Sequence, residues 1–268
     1  MISPDDLAAY LARIGLARPP APTAAGLAEL HLAHATHIPF ENIDVLLGRP
    51  IRLDPASLHQ KLVRDKRGGY CFEQNLLFAS VLESLGFRVT KLAARVRYRA
   101  NNKLLPRTHM LLRLDIEEEA WIADVGFGGS GPLVPLRLVA GLEQPQYLWA
   151  YRVVEEAGTW VLQARRPGGW EDFYIFSLEP QHDVDYEVAS HYVSTHPDSP
   201  FTRSLAAQRA TPEARYLLRS RELIIERAGG IESRTVAEGE LLGVLDALFG
   251  LPLPAGTVIP DQPWVWGS

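Results

Sequence analysis

The sequence predicts an α+β fold made of an N-terminal helical bundle, a central antiparallel β-barrel or sheet, and a C-terminal α/β lid. Two observations carry this prediction. Apolar residues recur at helical spacing as far as Gly86 and then alternate at a period of two from Phe87 onward. After about residue 195 the pattern mixes strands with one further helix. At 268 residues, 47% hydrophobic and 22% charged, the chain is long enough to bury two or three such units.

Ser3 caps a first helix, with Pro4 at its first position and Leu7, Tyr10, Leu11 and Ile14 on one face before Gly15. A proline-rich link, Arg18 to Pro22, leads to a second helix with Leu27, Leu30, Ala33 and Ala35, which must end before Pro39. Asp54-Pro55 starts a third by the same cap-then-proline logic, burying Leu58, Leu62 and Val63. Cys71 opens the fourth, which runs through Leu76 to Leu85 and stops at Gly86.

Strands follow over Phe87–Leu92, Ala94–Tyr98, Thr108–Ile116 and Ala120–Val125, with Glu117-Glu118-Glu119 as the polar turn between the last two. Further strands are predicted at Leu148–Val154, Thr159–Ala164 and Trp170–Leu178, separated by glycine-containing turns. Pro200, Phe201, Leu205 and Ala206 suggest a short connecting helix. Arg215–Arg227 and Glu232–Val236 read as strands around Gly229-Gly230, and Thr235-x-x-Glu238 as a capping box for a helix reaching Gly250. The four-proline tail from Leu251 is expected to be an irregular strap. The resulting division is a helical unit at 1–86, a β-rich unit at 87–195, a connecting helix at 196–212 and a lid at 213–268.

The net charge of −5, with no basic tail or Lys/Arg cluster, argues against a nucleic-acid or anionic-membrane partner. No apolar run reaches membrane-spanning length, the first residues do not read as a signal peptide, and one cysteine excludes an internal disulfide, so the expected location is cytoplasmic. A small-molecule partner is expected instead. Eight histidines invite a metal reading, but His31, His34 and His37 lack an accompanying carboxylate or cysteine set, and no metal is expected.

Chemistry centres on Arg67-Gly68-Gly69-Tyr70-Cys71-Phe72-Glu73-Gln74-Asn75. The paired glycines free the backbone for a tight turn, and a sulfur at a helix start meets unpaired N–H groups and the positive end of the helix dipole, which favour thiolate. A cysteine nucleophile needs a base in reach and an acceptor behind that base. His109 and Asp124, on successive strands, are the candidates, giving a triad of cysteine-protease type. They are directly opposed in one register and diagonal on the same face in a register shifted by two, whereas a one-residue slip separates them. On spacing alone, an inert core thiol at 71 and a core histidine at 109 remain open readings. Gly126-Phe127-Gly128-Gly129-Ser130-Gly131-Pro132 lacks the strand-to-helix context of a dinucleotide fingerprint and reads as a loop that lets backbone approach a ligand.

Together with Pro39-Phe40-Glu41-Asn42, Thr108-His109-Met110, Asp124-Val125-Gly126-Phe127-Gly128 and Ser194-Thr195-His196-Pro197, the cysteine stretch resembles the arylamine N-acetyltransferases over nearly the whole chain. The resemblance implies Cys71 as acyl acceptor, His109 as base and Asp124 as orienting carboxylate, with acetyl-CoA as donor. It implies aromatic amine, hydrazine or N-hydroxyarylamine acceptors, a ping-pong order, and a third unit packed over the site. It places Phe40 and Phe127 in the acceptor pocket, and Thr108, Phe127, Gly128, Gly129 and Phe201 against CoA. Phe40 and Phe201 are equally compatible with core packing. An oxyanion site is expected from backbone N–H groups at Cys71 and near Thr108. A cysteine hydrolase or amide synthase on the same fold, and a non-catalytic CoA-binding protein, are the alternatives.

Overall fold

The computed structural model describes residues 2–100 and 103–260. Its first part contains α1 (Pro4–Arg13), α2 (Ala24–His37), a two-residue strand β1 (Phe40–Glu41), α3 (Ile43–Leu46), α4 (Pro55–His59), a π-helical turn (Gln60–Arg64) and α5 (Cys71–Ser84). Ser3, Thr23 and Asp54 each accept a backbone N–H from the first turn of their helix, as capping requires. Tyr10, Leu27, Leu30, Phe72, Phe78 and Val81 form the centre of the core these helices share with Met110, Leu112 and Leu114 of the neighbouring sheet.

The sheet holds eight antiparallel strands in the order β5-β4-β3-β2-β9-β8-β7-β6. In chain order these are β2 (Val89–Val96), β3 (His109–Ile116), β4 (Glu119–Ala123), β5 (Leu136–Arg137), β6 (Gln144–Gln146), β7 (Trp149–Glu156), β8 (Thr159–Arg166) and β9 (Gly169–Phe176). A bridge from Ala140 to Val153 carries the chain leaving β5 onto β7, so the sheet curls toward a barrel. Its interior is filled by Leu92, Leu111, Tyr151, Leu162, Phe173 and Tyr174.

A second antiparallel sheet, β1-β10-β11-β12-β13, is built from β10 (Ala206–Ala210), β11 (Ala214–Arg219), β12 (Glu222–Arg227) and β13 (Gly230–Thr235). It packs on α7 (Leu241–Phe249) through Leu218, Leu223, Val244, Leu245 and Phe249. The strand from the helical unit, β1, pairs directly with β10, Phe40 opposite Gln208, so the first and last parts of the chain are joined by a ladder.

Several expectations are corrected. The connecting helix at 196–212 is one 3₁₀ turn (Pro200–Thr202) followed by β10, because Ala206 and Ala207 are drawn into the ladder beside β1. A full helix, α6 (Asp183–Thr195), was not foreseen; His182 is no standard cap, and only Tyr186, Ser190 and Val193 of this helix are buried. Arg215–Arg227 is two strands rather than one, folded at Ser220, whose φ is 52°. The cap before α7 is made by Glu240, which accepts the Ala237 N–H at 3.1 Å, rather than by Thr235, which ends β13. Residues 251–260 carry no helix or strand, as a strap would; the rest of that expectation, residues 261–268, lies outside the described residues. Among the described residues no helix is long and apolar enough to cross a membrane.

Candidate active site

Cys71 is the first residue of α5. The helix begins there because Glu73 turns back and accepts the Tyr70 N–H at 3.0 Å, while Gln74 donates to the Pro39 carbonyl at 2.8 Å. Glu73 is held by Lys61 at 2.7 Å, which also reaches Asp44 at 2.8 Å, and Arg67 bridges Glu41 at 2.6 Å and Asp44 at 3.3 Å. Removing one member of so buried a charge set costs about 3–5 kcal/mol, so the turn before Cys71 is firmly fixed. The glycines have a different role from the expected one. Neither Gly68 nor Gly69 lies at positive φ; a Cβ on Gly68 would sit 2.2 Å from the Pro39 carbonyl, and one on Gly69 would be 2.7 Å from the Glu73 carboxylate. Lack of room, rather than backbone freedom, selects glycine at both.

The sulfur is 5% exposed at the residue level and lies 3.5 Å from the carbonyl oxygen of Thr108. Residue 108 therefore turns its carbonyl toward the resting Cys71 sulfur. Next along the chain is His109, the first residue of β3. The β3–β4 hairpin closes in two residues, Glu117 and Glu118, at φ values of 51° and 66°, and pairs Ile116 with Glu119. That register places His109 and Asp124 diagonally on one face, the second of the two same-face arrangements open from sequence. His109 Nε2 meets Asp124 Oδ2 at 2.7 Å.

Asp124 is held on every side. Its Oδ1 accepts from Asn75 Nδ2 at 3.0 Å and from the Gly126 N–H at 2.9 Å. Its own N–H is accepted by His31 Nε2 at 3.1 Å, and Asn75 Oδ1 accepts the Val125 N–H at 3.1 Å. Burial opposes charge on Asp124, but His109, Asn75 and Gly126 outweigh it and lower its pKa below the usual carboxylate range. Burial likewise opposes charge on His109; the Asp124 carboxylate, by its charge and its hydrogen bond, and the Cys71 side chain raise it to about 10. The arrangement can hold an imidazolium between a carboxylate and a sulfur, which is the state that favours a thiolate nucleophile.

Phe127 packs edge-on to the His109 ring at 5.2 Å and stacks on Phe173 at 5.1 Å. Phe40 meets Phe201 at 5.8 Å, and Phe201 meets Tyr70 at 6.4 Å, so both phenylalanines stand beside the start of α5. Gly128, at φ +83°, leaves 3.3 Å from its missing Cβ to the Phe40 ring and 2.6 Å to Gln208. Gly129 faces Gln208 and Tyr216 of the second sheet instead. Gly126 has no space for a side chain at all: a Cβ would lie 2.8 Å from the Cys71 backbone.

Sequence reasoning missed Asn75, although it lies within the cysteine stretch and one turn after Cys71, where helical spacing puts it on the same face. It also missed Tyr174, whose ring lies 4.9 Å from His109 and whose phenol is pushed well above its ordinary pKa by burial and by Asp124. His31, weighed as a metal ligand, is a backbone partner of Asp124. Among the described residues no group of three or more histidine, cysteine or acidic side chains is arranged to hold a metal ion.

A family model described as N-acetyltransferase matches residues 23–258. The arylamine N-acetyltransferase of Mycobacterium tuberculosis is 41% identical, over 92% of this chain and 89% of its own. The arylamine N-acetyltransferase / N-hydroxyarylamine O-acetyltransferase of Salmonella typhimurium is 44% identical, over 77% and 74%. The structure of Mycobacterium marinum arylamine N-acetyltransferase in complex with CoA superposes with a TM-score of 0.88 at 38% identity, over 92% of this chain and 93% of that one.

Proposed function

The chain belongs to the arylamine N-acetyltransferase family, and on that footing we propose that Cys71 takes the acetyl group of acetyl-CoA and delivers it to an aromatic amine, hydrazine or N-hydroxyarylamine. The observation that supports this most is the helix-opening sulfur of Cys71 set 3.5 Å from the Thr108 carbonyl, next to His109, whose Nε2 lies 2.7 Å from Asp124 Oδ2.

The Cys71 thiolate attacks the thioester carbonyl; the C–S bond to CoA breaks as the new one to Cys71 forms, and His109 gives its proton to the departing CoA thiolate. His109 is then a neutral base. The amine attacks the acetyl-cysteine, His109 takes its proton, and the Cys71 thiolate leaves, restoring the starting state. Asp124 keeps the imidazole oriented and stabilises it each time it is charged.

Phe40 and Phe127 form the walls for the aromatic acceptor, and Thr108, Phe127, Gly128, Gly129 and Phe201 meet CoA. Glycine at 128, at positive φ and packed against Gln208 and Phe40, lets the loop lie close beside the acceptor wall, which supports its place in the site. In this reading residues 1–86 supply the nucleophile, 87–195 the base and carboxylate, and the second sheet with α7 a cover that keeps water from the thioester. A lone thiol nucleophile is kept reduced most readily in the cytoplasm, which supports a cytoplasmic location.

Mixing the protein with acetyl-CoA alone is expected to give an intact-mass increase of one acetyl group located on Cys71, stable until an arylamine discharges it as N-acetyl product. Rapid release of CoA without amine would mark a hydrolase instead. No adduct with or without amine would leave a CoA-binding protein.

A further inference from the structure

The loop from Gly126 to Gly131 carries Phe127 against His109, yet it belongs to no helix or strand. Its shape is imposed from the second sheet and from β7. Gln208 of β10 accepts the Gly129 N–H at 2.9 Å. Arg215 of β11 donates through Nη1 to the carbonyls of Gly129 and, at 3.0 Å, Gly131, and through Nη2 to the Tyr151 hydroxyl at 2.9 Å. That hydroxyl in turn donates to the carbonyls of Ser130 and Gly131, both at 2.9 Å. The guanidinium lies over the Trp149 ring at 3.9 Å, and the same ring carries Arg166 at 3.8 Å. Strands of both sheets thus converge on three consecutive loop carbonyls.

Arg215 is 1% exposed, and among the described residues no carboxylate lies within ion-pairing distance of it. Its hydrogen bonds go to neutral oxygens, and its Nε has no partner. A charge buried without an ion pair is unfavourable beside an apolar side chain of the same volume, so stability alone does not account for a guanidinium here. What a planar fork supplies is the simultaneous hold on several oxygens in fixed directions. Turning carbonyls 129 to 131 outward fixes the peptide planes of the loop, and with them Phe127 and Gly128.

We infer that Arg215 is a positioning residue for acetyl transfer: by clamping the carbonyls of Gly129 and Gly131 it holds the loop that presents Phe127 and Gly128 to donor and acceptor. The inference rests on the function proposed above. Cys71, His109 and Asp124 have further holds at Asn75, His31 and the start of α5, away from carbonyls 129 to 131, so loosening those carbonyls should impair binding more than it impairs the nucleophile.

Arg215→Met, Arg215→Lys and Tyr151→Phe test this. Each is assayed for alkylation of Cys71 by iodoacetamide, which reads the thiolate without a bound donor or acceptor, and for kcat and the KM values of acetyl-CoA and arylamine. Arg215→Met is expected to alkylate within about twofold of the parent while both KM values rise about tenfold or more and kcat changes less. Arg215→Lys should recover part of the loss, since an ammonium lacks the fork that spans the carbonyls. Tyr151→Phe removes a single hydroxyl and should show the same pattern at about threefold, which keeps the inference testable if Arg215→Met does not fold. Unchanged KM values in folded Arg215→Met or in Tyr151→Phe would overturn it, as would alkylation falling in step with turnover. The parent's acetyl-Cys71 adduct is measured first: its absence would sink the acyl-transfer reading and this inference with it, whereas its presence with unchanged KM values sinks the role of Arg215 alone.

Discussion

Asp124 stands between two buried histidines and presents a different group to each, and the two take opposite charge states. Its backbone N–H is accepted by His31 Nε2 at 3.1 Å, so the His31 proton sits on Nδ1, which donates to the Leu133 carbonyl at 2.9 Å. Burial then pushes His31 down to about 4. His34, between Tyr10 and Gln74, is pushed down to about 3 by the same cause. The carboxylate of Asp124 faces His109, and there the pKa rises to about 10 despite equal burial. Burial alone discharges a histidine; an ionised carboxylate at 2.7 Å overrules burial. His31 and His34 are thereby structural, and the β3 histidine is equipped to move protons.

Asp124→Asn should break this contrast with the largest effect. Its Oδ1 can keep the bonds from Asn75 and Gly126 while Nδ2 donates to His109 Nε2, which moves the His109 proton to the other nitrogen and leaves the ring neutral. Turnover is expected to fall about 10³–10⁴-fold with the fold retained, as read by steady-state kinetics and circular dichroism. Turnover within about tenfold of the parent would remove Asp124 from the mechanism.

The nucleophilic side of this site was legible in the sequence because its parts are local. Cys71 follows a glycine turn at a helix start, and His109 and Asp124 lie on one hairpin whose two-residue turn sets their register. The fold class was legible for the same reason, since hydrophobic period and caps act over a few residues. What escaped were long-range partners: His31 reaches Asp124 across 93 residues, Gln208 reaches Gly129 across 79, and Arg215 reaches Gly129 across 86. Nothing in the spacing of a lone arginine in a strand announces a carbonyl clamp. The chain after residue 180 misled through its apolar small residues: Ala206 and Ala207 suit a helix, but the unpaired edge of β1 claims them.

A smaller effect sharpens the comparison. His31 and His34 have depressed pKa values, so below 6.5 the unfolded chain takes up protons that the native state refuses; their contribution is complete above 6.5 and is lost as pH falls toward 4 and 3. His109 is raised, so its contribution is complete below 6.5 and is lost as pH climbs toward 10. Urea denaturation should therefore show greatest stability near neutrality. His31→Gln should cost about 1–3 kcal/mol at neutral pH through imperfectly replaced hydrogen bonds, and should flatten the acid limb. Asp124→Asn should flatten the alkaline limb. Limbs unchanged by either substitution would mean that these histidines do not set the pH dependence.

That burial holds His31 neutral while the Asp124 carboxylate keeps His109 charged is tested most directly by a nuclear magnetic resonance titration of ring-labelled histidine in the intact protein, with His31→Gln and His109→Gln used to assign the signals. The His109 ring should keep both its protons from pH 6 to above 9 and lose one only near 10, while the His31 ring stays neutral, protonated on Nδ1 alone, down to about pH 4. A His109 ring that titrates close to 6.5, or a His31 ring that charges in the same range, would contradict it.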